Sequence, residues 1–158
     1  LGVMLIILYN EWMTQYHYLS SIRDNTSENL DPQFGSLLRN HWLEESQHAT
    51  LDTLMVERLV QQLDQSEVDA GVEDFFNLIE FLQGGLMMQV QLDLESLARA
   101  TGRTFTDAEK QEIQTVQEKS YRWTFIGSGV THPQFVEIFK QVSPAQQQRL
   151  SDVAESYC

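Results

Sequence analysis

Glu45 and His48 stand three residues apart in Asn40-His41-Trp42-Leu43-Glu44-Glu45-Ser46-Gln47-His48. On an α-helix that spacing puts both side chains on one face, about a turn apart. A carboxylate and an imidazole so placed can both reach one divalent cation. The Glu-x-x-His pattern alone says little: with 14 Glu and 4 His in 158 residues, chance supplies about 0.35 such pairs. Its surroundings say more. The inward stripe of the surrounding helix reads Phe34, Leu38, His41, Glu45, His48, Asp52, Met55, Leu59, with four polar groups in the middle of an apolar run. Burying such groups is costly unless each is hydrogen-bonded or bound to a metal.

The elements that must carry these residues follow from the spacing of apolar positions. Leu5, Leu8, Trp12, Tyr16, Leu19 and Ile22 recur at helical intervals, with Glu11, Gln15 and Tyr18 as a polar stripe beside them. This first helix is expected to end near Arg23, before the turn formers Asp24 to Asn29. Asp31 caps a second helix with Pro32 in its first turn, running to about Asp64. Gln65 to Gly71 reads as a short acidic connection. A third helix from Val72 to about Ala100 carries Phe75, Phe76, Ile79, Leu82, Leu86, Val90, Leu94 and Leu97, with Gly84-Gly85 as a kink or break. Thr106 and Glu109 form a capping box for a fourth helix ending at Gly127-Ser128-Gly129. His132-Pro133 and Ser143-Pro144 open further helical pieces. The reading is all-α: one domain over residues 1–158, a four-helix bundle with an additional C-terminal helical region.

With connections centred near residues 28, 68 and 104, antiparallel packing predicts that Glu11, Glu45 with His48, Gln91 and Glu118 share one layer across four helices. Hydrophobic residues make up 42% of the chain, enough for a core, and the formal charge is −13. That charge repels phosphate backbones and anionic lipid, which argues against nucleic-acid and membrane partners. The apolar run Leu1 to Leu8 lacks a basic flank and is too short to span a bilayer, so it reads as the start of a buried helix. The chain opens on Leu1 rather than Met, an expectation of residues missing or removed upstream. The single cysteine, Cys158, has no partner for an internal disulfide, consistent with a reducing, cytoplasmic setting.

At this point the sequence resembles the ferritin-like diiron-carboxylate superfamily, whose bundles supply a Glu from one helix of each pair and Glu-x-x-His from the other. Glu11 matches the single Glu and Glu45-Ser46-Gln47-His48 the first Glu-x-x-His. In the second half Tyr121 stands where the second histidine is expected, in Glu118-Lys119-Ser120-Tyr121, and Gln91 where the Glu of the third helix is expected. Asp93 and Glu95 are alternative donors there. The resemblance implies a long crossover between the second and third helices, where this chain has only a short link unless residues 72–83 are the crossing segment. It also implies two iron ions, or manganese, bridged by Glu45 and Glu118; the degenerate second half also allows a single metal. His41 and Asp52 become hydrogen-bond partners of the ligands, and Tyr121 a packed tyrosine. The implied activity is an oxidoreductase or oxygenase acting on dioxygen, peroxide or a small organic molecule. The alternative from a different class is a non-enzymatic helical bundle that binds a partner or forms a homodimer, with Trp12, Trp42 and Trp123 as interface anchors.

Overall fold

The computed structural model describes residues 1–25 and 30–157; among them every regular element is helical. The first helix, α1, spans Gly2–His17 and continues into a π-helical stretch, Tyr18–Arg23. Of the predicted turn after it, Thr26 to Asn29 lie outside the described residues, as does Cys158. Helix α2 spans Pro32–Val60, and the Asp31 carboxylate accepts from the backbone N–H groups of Gln33 and Phe34 at 2.8 and 3.0 Å. That satisfies two donors that have no partner within the helix.

Helix α3 spans Gln65–Thr101, 37 residues or roughly 55 Å. It starts earlier than the sequence reading placed it. The residues read as a connection, Gln65 to Gly71, are its first two turns, because Asp64 and Glu67 form a reciprocal capping box: Asp64 Oδ1 accepts from Glu67 N–H at 3.0 Å, and the Glu67 carboxylate takes the Asp64 N–H at 2.9 Å. The link from α2 is therefore only a few residues long, and α3 is no crossing segment. Gly84-Gly85 does not split it, and both glycines face open space. The helix stops at Gly102, whose φ of +64° is the left-handed conformation that favours glycine.

Helix α4 spans Asp107–Arg122, passes through a second π-helical stretch at Trp123–Gly127 and ends in the turn Ser128–Val130. Helix α5, Pro133–Val142, follows the cap His132, and α6, Gln147–Tyr157, follows a 3-10 turn at Pro144–Gln146.

Helix α1 is the centre of the assembly, packing on α2, on α3 and on the end of α4. Leu5, Leu8 and Tyr9 are fully buried among Phe75, Ile79, Ile126, Val130, Phe135 and Phe139. The Phe75 ring meets Tyr9, Phe135 and Phe139 at centroid distances of 6.3, 5.7 and 5.7 Å. Each such ring contributes roughly 1.5–3 kcal/mol by leaving water. The Tyr9 hydroxyl donates to the Phe125 carbonyl at 2.7 Å, and the Gly129 backbone lies so close to the Tyr9 ring that a Cβ there would come within 2.4 Å of it. The Arg149 guanidinium sits 4.1 Å over Phe76 and bonds Glu73 at 3.0 Å, tying α6 to α3.

These contacts fix the heights of the helices. Gly2 lies against Gly71 and Asp74, so α3 runs alongside α1 in the same direction. Glu11, nine residues on, is then level with roughly Glu80 to Gln83 of α3 and, through Tyr9 and Gly129, with the end of α4.

Candidate metal centre

Helix α1 presents Glu11 toward α2, where Glu45 and His48 occupy one flank a turn apart. One ligand atom from each of Glu11, Glu45 and His48 lies within 4.8 Å of the others, the group among the described residues that could grip one cation. His48 Nδ1 faces Glu45 Oε2 at 3.0 Å and His48 Nε2 faces Glu44 Oε1 at 3.2 Å. His41, one turn earlier, holds the other oxygen of Glu45 through its Nε2 at 2.8 Å. The Glu45 side chain is 15% exposed and that of His48 48%, so the cluster grades from α1 outward to solvent.

Glu11 differs from the others. Its Oε2 is enclosed and has no hydrogen-bond partner, a property it shares with the indole N–H groups of Trp12 and Trp42. For a carboxyl group the cost is greatest, since its ionised form loses the most hydration. Burial first, then a hydrogen bond shared with Glu45 and the negative charges of Glu45 and Asp52, push the Glu11 carboxyl up to about 7. Glu45 is held below its ordinary value, foremost by the hydrogen bond from Glu11 and then by His48 and His41. His48 is raised, first by its bond to Glu45 and next by the charge of Glu44. Two carboxyl groups, one raised and one lowered, thus face each other at the spot where a metal ion would sit. Two carboxylates and one imidazole suit a divalent ion such as iron or manganese, and three protein donors leave coordination positions open.

The other residues singled out from sequence lie elsewhere. Gln91 is exposed on α3, its carbonyl accepting from Gln114 at 2.7 Å, and Glu118 on α4 does not join the carboxylate and histidine group. Tyr121 donates to Asp93, which also accepts from Gln117 at 3.3 Å and Gln89 at 2.7 Å. Asp93 therefore serves the seam between α3 and α4. The layer expected from sequence assumed a connection near residue 68; with α3 opening at Gln65, the height of Glu45 falls near residue 80, where α3 offers buried Ile79 to the core. Asp52 lies close enough to Glu11 for its charge to act on it. Glu44, on the exposed face of α2, takes one nitrogen of His48 through the i,i+4 spacing that the sequence displays. His17, outside the cluster, bonds the Thr124 carbonyl at 2.9 Å and Ser128 Oγ at 3.0 Å, fastening α1 to the end of α4.

A groove of about 360 Å³ opens beside the cluster, lined by Thr14, Tyr18, Ile22, Leu38, His41 and Trp42, with the Tyr18 and Trp42 rings stacked 5.0 Å apart. No helix is long and apolar enough to cross a membrane among the described residues. Compared with protein-family models, curated proteins and solved structures, the chain matches none of them.

Proposed function

We propose that the α1 and α2 hairpin binds a divalent iron or manganese ion through Glu11, Glu45 and His48, and that the protein is a ferritin-like oxidoreductase acting on dioxygen, peroxide or a small organic molecule. The observation that carries this reading is the enclosed, unpartnered Oε2 of Glu11 set against Glu45 and His48. A cation there would pair with a carboxylate whose charge burial and the neighbouring Glu45 otherwise oppose.

In this reading Glu11 and Glu45 balance the ion's charge, and His48 supplies the nitrogen donor. His41 fixes the Glu45 carboxylate through its other oxygen, as partners of metal ligands commonly do. Bound iron would supply redox chemistry toward dioxygen or peroxide. The groove at Tyr18, His41 and Trp42 offers an apolar, aromatic seat for a small organic substrate one helical turn from Glu45, within the usual size range of such sites. The test is elemental analysis and Mn²⁺ titration of the purified chain. Near-stoichiometric metal that is lost in Glu11→Ala and His48→Ala is expected; protein that takes up no Mn²⁺ or Fe²⁺ under argon would falsify the reading.

A second reading has its own support. Glu45 and His48 already satisfy each other, and α2 exposes Phe34, Leu37, Leu51 and Leu54. A helical interaction module with a polar network in place of a metal would have these features too, and its metal titration would be flat.

A further inference from the structure

We infer that the outward face of α3 is the docking site for a second copy of this chain, the two α3 helices lying antiparallel with Met88 of each seated on Gly85 of the other. The pairing requires no metal.

Helix α3 has a covered side and a bare one. Val72, Phe75, Ile79, Leu86 and Val90 turn into the core, while α1, α4 and α6 meet its flanks at Gly71, Asp93 and Glu73. On the opposite side Phe81 is 81% exposed, Met88 68% and Leu92 54%. Among them lie Gly84 and Gly85, in the middle of a 37-residue helix, although glycine is the poorest helix former after proline. Among the described residues nothing comes within 4 Å of a Cβ built at either glycine, so no contact inside the chain calls for a missing side chain there. Glycine does permit another backbone to approach closely.

The spacing along the bare side selects the occupant. Asp74, Phe81 and Met88 recur at intervals of seven, and so do Gly85, Leu92 and Arg99, which puts all six on one stripe. An antiparallel copy centred between Leu86 and Met87 sets Asp74 opposite Arg99, Phe81 opposite Leu92 and Met88 opposite Gly85. Acid meets base, apolar meets apolar, and the long methionine meets the residue with no side chain, each pair occurring twice as a two-fold patch requires. Arg99 is 70% exposed and reaches its own Glu95 only at 3.8 Å and Ser96 Oγ at 2.9 Å, so guanidinium donors remain for Asp74 of the copy. Glu95, facing half-buried Leu78 of the copy, stays at the rim against its own Arg99. On a straight helix a seven-residue stripe drifts by about 20° per repeat, which suits a shallow crossing of about 20° between the two helices.

The size of the stripe sets the strength of the union. From Asp74 to Arg99 it runs roughly 38 Å and one helix is roughly 10 Å wide, a footprint of roughly 400 Å² per partner, about half that of a stable dimer. A charge of −13 on each chain adds a general repulsion, which salt at about 0.15 M screens beyond about 8 Å. The dimer should therefore be weak and concentration-dependent, with Asp74 and Arg99 fixing its register.

The test is sedimentation velocity of the full chain in EDTA at about 0.15 M salt, over about 5 to 500 µM protein. The expected result is an 18.3 kDa monomer at the dilute end and a dimer at the concentrated end. Phe81→Glu should abolish the dimer and leave the melting temperature unchanged, since the ring lies in solvent. Gly84→Ala combined with Gly85→Ala should raise the melting temperature, because alanine is the better helix former, yet weaken association by about tenfold as the seat of Met88 fills. Asp74→Arg alone should weaken association by about tenfold, and adding Arg99→Asp should restore it to within about threefold. A chain that stays monomeric at about 500 µM, or a dimer indifferent to Phe81→Glu, overturns the docking face. A charge swap that fails to rescue overturns the antiparallel register, and a glycine double variant that melts higher but pairs as before overturns the seat at Gly85.

Discussion

Replacing Glu11 by Gln should stabilise the metal-free protein at alkaline pH while removing its metal binding. Burial and the neighbouring Glu45 carry the Glu11 carboxyl from 4.5 to about 7, so the folded state holds its proton more firmly than the unfolded state. A group raised in this sense contributes stability that is fully present below pH 4.5 and is lost as pH rises through 7. At full burial the shift corresponds to about 3 kcal/mol; Glu11 is partly open to solvent, which reduces it to about 1 kcal/mol. The amide that replaces the carboxyl stays neutral at every pH and can still donate to Glu45. In EDTA, Glu11→Gln should therefore match the native protein at pH 5 and exceed it by about 1 kcal/mol at pH 8. For a domain of this size that is about 2–4 °C in Tm by circular dichroism. Excess Mn²⁺ at a hundred times its dissociation constant should add about 2.7 kcal/mol to the native protein at pH 8 and nothing to the variant. Because the ion must displace the proton that Glu11 holds up to about pH 7, native affinity should fall as pH drops below 7, by about 25-fold between pH 7.5 and 5.5 from Glu11 alone. The reasoning fails if the variant is the less stable protein at pH 8, or if its melting temperature follows pH as the native one does.

Three other outcomes follow from described contacts. His48→Ala should abolish Mn²⁺ binding in calorimetry, whereas Glu118→Ala and Gln91→Ala should leave it within twofold, since neither joins the cluster; equal losses would return those residues to the site. Gly129→Ala should cost about 1–3 kcal/mol in urea unfolding, because the added methyl drives into the Tyr9 ring at 2.4 Å; an unchanged midpoint would show that α1 yields there. Asp64→Ala removes the cap of α3 and should cost about 0.5–2 kcal/mol by the same measurement, with no effect on metal.

Much of this molecule could be read before its structure was known. The helical class, the caps at Asp31 and Thr106 and the breaks before Pro133 and Pro144 depend on local chemistry that the sequence displays directly. The proximity of Glu11 to Glu45 was legible too, because a hairpin needs only one connection to be placed. Gln91 depends on a second connection, and the acidic stretch there resembles a link although Asp64 and Glu67 mark a helix start. Moving that start by two turns displaces every height counted through it. Charge density is an ambiguous boundary signal, since the first turns of an exposed helix are as polar as a loop. The enclosed Glu11 oxygen was not legible, because it depends on how α1 and α2 approach each other.

The two π-helical stretches bear on how the chain tolerates change. Each wide turn holds one residue more than the α-helical count, so everything beyond it is rotated by about 100°. In α4 this rotation lets Gln114, Gln117 and Tyr121 address α3 while Ser128 and Gly129, a few residues later, address α1. Excising one residue between Trp123 and Gly127 would let the backbone close into an ordinary helix and would aim Gly129 away from Tyr9. Such a deletion would leave far-ultraviolet dichroism nearly unchanged yet dislodge α5 and α6 together, a failure of docking in a chain that still coils perfectly well.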